Sequence, residues 1–439
     1  MLTPVIWILG SLLSSTSLAA LEPRYCQDIA EATCGSASEL NEYRSRLSKE
    51  SAEFLNRCIV RAPLQLKMPP RWALQSSASG RELLKSMQNS SKLPFTESDM
   101  YDYDQAYVLA RLSDEGVREV MEEVLPLMKS SESAFVSRTA LHEFNEGVRS
   151  DLKFAIELRS DIPVELKAIL FARVDRTLIQ LPSEYLEEKA TQPNQLLNAY
   201  RGYHQACGNN GQGMNAFNDG EERVVLCPGL LVAGMVNAKI KRKNLFETLI
   251  FPRDRNLTIE TTRMRSPEVE AIADCSTETD LMSLYTIVAH ELGHSIDGGI
   301  SMIDDRLDVG THLINLWACQ QKKYPAVISS EQNALVNFQA AIGRNREMTA
   351  DFWAAQTLSV RLNRTELPRY TQDGFMREMK SNMGIFCVNS FPKGSKSEFE
   401  AEMSGHLHGT KRIEAFLEES PELSRALGCE RHGKSACRF

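Results

Sequence analysis

Ser283-Leu-Tyr-Thr-Ile-Val-Ala-His290-Glu291-Leu-Gly-His294-Ser-Ile-Asp297 is the stretch from which the rest of the chain can be read. At helical spacing His290 and His294 lie one turn apart on the same face. Two imidazoles so placed can hold a single zinc ion, which favours nitrogen ligands in tetrahedral array. Glu291 follows about 100° further round the helix. It therefore flanks the ion without ligating it, where a general base for an activated water must sit. The apolar run from Leu284 to Ala289 suits a buried helix, and Gly293 leaves room for another segment to pack closely.

A hydrolytic site of this kind needs a third ligand. Downstream, Arg346-Glu347-Met-Thr-Ala-Asp351-Phe-Trp places two carboxylates at i and i+4 of another expected helix. Glu347 can complete the ligand set. Asp351 can accept the second ring N–H of a ligating histidine and so fix its tautomer. The alternative is a solvated helix face, against which the apolar neighbours Met348, Ala350, Phe352, Trp353 and Ala354 argue.

Working outward, 439 residues admit two or three domains, and 42% hydrophobic with 25% charged residues fits a globular chain. A net charge of −8 with no long basic block excludes nucleic acid and anionic membrane surfaces as expected partners. Val5 to Leu13 is apolar and runs into Ser-Ser-Thr-Ser-Leu-Ala19-Ala20, which reads as a signal peptide over 1–19. No segment is long enough for stable membrane insertion. Ten cysteines agree with export to a secreted or periplasmic compartment and with disulfides, whose connectivity spacing alone leaves open.

From about Leu40 to Ala206 apolar residues recur at three and four, the helical pattern. After Cys207 the character changes. Met214-Asn215-Ala216-Phe217, a turn at Asn218-Asp219-Gly220, then Arg223-Val-Val-Leu-Cys227-Pro-Gly reads as a hairpin. One strand of it can form a sheet edge able to pair with an extended peptide, although pattern alone favours an ordinary structural hairpin. Further helices are expected over Asp308–Gln321, Glu331–Leu362 and Gln372–Val388.

These residues together resemble the neprilysin and endothelin-converting-enzyme family of zinc peptidases, within the gluzincins. Beyond the two histidines and Glu291, the likeness rests on Asn215-Ala216-Phe217 with Pro228-Gly229, Asp297, and Glu347 with Asp351. It extends to His406 followed by Arg412, the tail Cys437-Arg438-Phe439, and Cys26 with Cys34-Gly35. It covers about Met214 to the C-terminus and the first two cysteines. The resemblance implies a mainly α, α+β fold: a thermolysin-like catalytic lobe with a small β-hairpin or sheet over 207–439, and a helical lobe over 20–206. It implies one Zn2+ held by His290, His294 and Glu347, Glu291 as base and proton donor, and Asp351 orienting a ligand. Asn215 and Ala216 would hold the substrate backbone beyond the cut bond, Arg412 a substrate carbonyl, and His406 the oxyanion. Leu230, Ile287, Ile385 and Phe386 would line an apolar pocket, favouring cleavage before hydrophobic residues. Disulfides Cys26–Cys429, Cys34–Cys387 and Cys319–Cys437 are implied, with Cys58, Cys207, Cys227 and Cys275 unassigned.

The stretch between Cys34 and Asn215 is much shorter than in full-length members of that family, and the segment between Pro228 and the His290 helix is longer. The expected activity is a secreted zinc endopeptidase or oligopeptidase acting on peptides or proteins. The competing expectations are a non-catalytic zinc-containing binding module and an envelope chaperone-protease of another gluzincin family.

Overall fold

A computed structural model of the chain describes residues 26–35, 136–192, 195–207, 213–220, 222–236, 279–297, 307–325, 334–364, 379–383, 385–387, 407, 409–429 and 436–438. Scattered helical positions between 42 and 49 and between 118 and 133 are also described. The expected leader at 1–19, together with Cys58, Cys275 and His406, lies outside these residues.

The described elements run α1 (Ile29–Cys34), α2 (Arg138–Leu158), α3 (Val164–Arg176), β1 (Leu178–Gln180), α4 (Pro182–Ala190), α5 (Leu196–Cys207), β2 (Ala216–Asn218) and β3 (Arg223–Leu226). A helical stretch at 228–236 and a 3-10 turn at Leu281–Leu284 lead into α6 (Tyr285–Asp297). Then come α7 (Leu307–Lys323), α8 (Ala334–Arg364), α9 (Gly409–Glu419) and α10 (Pro421–Leu427). The described residues are mainly helical with one small sheet, as the sequence leads one to expect.

Local chemistry explains the helix boundaries. The Ser137 side chain accepts the N–H of Ala140 at the start of α2, and Leu141, Val148, Leu152 and Ile156 follow on one buried stripe. Each such side chain contributes about 1.5–3 kcal/mol of burial. Pro163 precedes α3, which buries Leu166, Leu170 and Val174 at four-residue steps. Pro182 opens α4, where its missing N–H does no harm. Gly428 closes α10 with φ of 71°, a left-handed conformation that glycine adopts freely.

The expected hairpin is present, with β2 antiparallel to β3 and Phe217 opposite Val225. Its turn begins one residue later than the sequence reading, because Asn218 still belongs to the strand. Asn218 Oδ1 then accepts Gly220 N–H (2.9 Å) and Asp219 Oδ1 accepts Arg223 N–H (3.0 Å). β1, which the sequence reading left inside a helical region, pairs parallel with β3, giving the order β1-β3-β2. Three residues are too few to show the alternation that betrays a strand.

One apolar core joins these parts. Leu152 and Ile156 of α2, Val224–Leu226 of β3, Val288 and Leu292 of α6, and Trp353 and Leu358 of α8 belong to it, as does Phe416 of α9. Cross-links tie the chain ends into that core. Cys26–Cys429, Cys34–Cys387 and Cys319–Cys437 pair as the family resemblance implies, and Cys207–Cys227 joins the end of α5 to the end of β3. No described helix is long and apolar enough to cross a membrane.

Glu132 supplies a pH dependence. Its buried carboxylate accepts the N–H (3.0 Å) and the hydroxyl of Ser183 at the start of α4. Burial pushes its pKa up from 4.5 to about 7, against the lowering effect of the Ser183 bonds. Below pH 4.5 both folded and unfolded chains hold the proton. Between 4.5 and 7 only the folded chain holds it, so the unfolded state gains and stability falls as pH rises through 7. The full effect is about 3 kcal/mol. Glu132→Gln is expected to remove this slope from a plot of unfolding free energy against pH. An unchanged slope would assign it to other groups.

Candidate metal centre

Helix α6 is built for burial before it is built for chemistry. Asp280 accepts Met282 N–H (3.1 Å) at the entry, and Leu284, Val288, Ala289, Leu292 and Ile296 are buried. Polar anchors fix its position along the axis. Tyr285 donates its hydroxyl to Asp151 of α2 (2.7 Å), which Arg364 of α8 also engages (2.8 Å). Thr286 donates to Asn382 O (3.0 Å), and Arg173 of α3 donates to Ile296 O (2.8 Å) at the C-terminal end.

Helix α8 brings the third group. Gln320 and Trp317 of α7 bond Met348 O (3.1 Å) and the Thr349 hydroxyl (2.9 Å), pinning the turn next to Glu347. Glu347 Oε2 lies 3.2 Å from His290 Nε2 and 3.6 Å from His294 Nε2. One ligand atom from each of the three residues lies within 4.8 Å of the others. Tetrahedral ligation at about 2.0–2.2 Å requires ligand atoms about 3.3 Å apart. The two separations from Glu347 match that spacing, so the group could hold a metal ion, and the expected ligands His290, His294 and Glu347 do converge.

The supporting residues are also in place. His290 Nδ1 is 2.8 Å from Asp351 Oδ1, so the carboxylate takes that proton and leaves Nε2 toward Glu347. Arg412 of α9 grips the same carboxylate through Nε (2.8 Å) and Nη2 (2.7 Å), and its guanidinium lies over the Phe386 ring at 4.3 Å. The sequence reading pointed Arg412 at a substrate carbonyl; in the structure its main partner is Asp351, and it is buried.

Charge states follow from this packing. Burial raises the Asp351 pKa, but Arg412 and His290 outweigh it and hold the carboxyl at about 2. Burial lowers that of His290, yet the bonds to Asp351 and Glu347 raise it more. Carboxylates thus face both ring nitrogens, and a cation between Nε2 and Glu347 would take over the place of a proton. Glu291, one residue along and 8% exposed, is pushed up by burial, with His290 and His294 pulling the other way.

Gly293 explains how the two helices come so close. A Cβ there would stand 2.8 Å from the Ala350 Cα and 3.0 Å from its carbonyl oxygen. Ala350 lies between Glu347 and Asp351. Gly293→Ala is expected to cost about 1–3 kcal/mol, despite alanine's higher helix propensity, and to weaken metal binding as α8 is displaced. Thermal denaturation with a zinc competition titration checks both, and a variant unchanged in either would contradict the close approach.

Two features escaped the sequence reading. Asn218 donates to Glu291 O (3.1 Å) and to the Ser295 hydroxyl (2.9 Å), locking β2 onto the ligand-bearing turn. In the sequence its Asn-Asp-Gly context signals only a turn. The buried Lys189–Asp219 pair (3.0 Å) gave no signal, since its members are 30 residues apart. Of the other expected substrate-binding residues, Asn215 is exposed beside β2, with Nδ2 donating to Ala206 O (3.3 Å), and Ala216 begins β2. Leu230, Ile287, Ile385 and Phe386 are all buried. Compared with models of known protein families and with curated proteins, the chain finds no match.

Proposed function

We propose that the chain is a zinc-dependent endopeptidase or oligopeptidase of the neprilysin type that works outside the cytosol. The observation that carries the reading is the convergence of His290, His294 and Glu347, backed by Asp351 and flanked by Glu291. The three disulfides anticipated from the family resemblance support it independently of the site. Disulfides also favour an oxidising compartment.

Bound zinc supplies Lewis-acid polarisation of the scissile carbonyl and makes a water available as nucleophile near neutral pH. The chain's own groups do the rest. Glu291 accepts the proton of the attacking water and delivers it to the leaving amine, a transfer helped by a pKa raised toward the working pH. Asp351 holds His290 in one tautomer, and Arg412 holds Asp351 ionised. Asn215 and Ala216 lie where an extended peptide can lie against the sheet edge. His406 is assigned to the oxyanion by the resemblance alone. The activity is tested with a quenched-peptide digest, with and without chelator. Cleavage that stops on chelation and returns with zinc is expected. Stoichiometric zinc without cleavage would favour a metal-holding binding module.

A further inference from the structure

Asn218 makes connections in two directions. Its side-chain oxygen accepts Gly220 N–H (2.9 Å) within the hairpin turn. Its Nδ2 donates to Glu291 O (3.1 Å) and to the Ser295 hydroxyl (2.9 Å) on α6. These partners fix the orientation of the carboxamide. A flipped amide would set an oxygen against the Glu291 carbonyl and an NH2 against the Gly220 N–H, losing both bonds.

The two elements it joins are each held by other groups. Asp219 of the turn forms a buried ion pair with Lys189 of α4 (3.0 Å), and Arg223 of β3 pairs with Glu188 (2.6 Å). Helix α6 is anchored through Tyr285 to Asp151 and through Arg173 to Ile296 O. The carboxamide therefore sets the spacing between two fixed bodies. The main chain of the same residue faces elsewhere. Asn215 O accepts Cys227 N–H, and Asp219 N–H donates to Arg223 O, both on the β3 side. By the antiparallel alternation, Ala216 and Asn218 turn their main-chain groups outward. Among the described residues no strand pairs with that outer side of β2. An extended peptide added there bonds the main chain of the residue whose side chain holds the Glu291 carbonyl.

We infer that Asn218 is a positioning residue that ties a peptide seated along β2 to the turn carrying Glu291, so that contacts remote from the cut bond speed the reaction. The inference rests on the peptidase reading and names how the strand edge serves it. Remote binding energy raises kcat only if it is spent on holding the reacting groups in place, which requires a stiff link between the two. The test compares two peptides that share one cut bond, the first ending close to it and the second continued far enough to run along β2. With the zinc-loaded native chain, the continuation is expected to raise kcat by about tenfold or more. Asn218→Asp keeps the acceptor for Gly220 and puts an oxygen where Nδ2 met Glu291 O. There the same continuation is expected to lower KM and leave kcat at the value for the shorter peptide. Asn218→Ala, which adds no charge, is expected to show the same split. Zinc bound per chain is expected to match the native protein in both variants. Anisotropy binding of the longer peptide to zinc-loaded Glu291→Gln is expected to be the same with and without Asn218→Asp. No gain in kcat on continuation in the native chain, a gain that survives in either variant, an equal fractional fall in kcat for both peptides, or loss of zinc or of peptide binding overturns the inference while leaving hydrolysis standing. A native chain that cuts neither peptide removes the peptidase reading, and the inference with it.

Discussion

Glu291→Gln protein should keep its metal and lose turnover by about 10²–10⁴-fold. The substitution preserves shape in a helix already fixed at this point by Asn218, which bonds Glu291 O and Ser295. His290, His294 and Glu347 are untouched, so an ion held by them would stay. What disappears is the acceptor for the water's proton, since a carboxamide has no basic oxygen to offer at neutral pH. The site gives Glu291 more basicity than an exposed glutamate, because burial disfavours its ionised form. Metal analysis and kcat on one preparation check both halves. A glutamine variant with near-native kcat would exclude Glu291 as the base, whatever its metal content.

Arg412→Met should be the most damaging change outside the ligand set. Arg412 and Asp351 form a buried ion pair with two bonds of 2.8 and 2.7 Å, between α9 and α8. Removing the guanidinium leaves a buried carboxylate short of its main counter-charge, which costs about 3–5 kcal/mol. Asp351 would then lose part of its grip on the ionised form, the His290 tautomer would loosen, and zinc affinity should fall about 10–100-fold. Arg412→Lys should recover only part of the loss, since an ammonium cannot reproduce the planar two-bond fork. Denaturant unfolding and competition for zinc give the two readouts. If the methionine variant matched the native chain in both, the pair would be dispensable and the arginine's work would lie elsewhere.

The legibility of the site in the sequence follows the range of the interactions. His290, Glu291 and His294 are one helical turn, so periodicity alone places them. Glu347 and Asp351 form a second single-turn pattern, and their apolar neighbours betray a buried helix. That the two helices meet, with Gly293 against Ala350, is visible only as a small residue in an apolar run. β1 is not legible in the sequence because three residues carry no period, and its partner β3 lies more than forty residues away. The Asn-Asp-Gly context of Asn218 signals turn chemistry, which it does perform through Gly220, while its second role across to α6 leaves no local trace. The family resemblance alone points Arg412 to the site. Its commitment to Asp351 is a long-range charge pairing that spacing cannot report.

The most direct measurement is a zinc titration of chelator-stripped native protein beside His290→Ala, His294→Ala and Glu347→Ala, with bound metal counted per chain. One tightly held ion in the native protein, and a sharp loss of affinity in each of the three variants, is the expected result. A native chain that binds no stoichiometric zinc, or binds it equally well without any one of those side chains, would contradict the shared site on which the proposed chemistry depends.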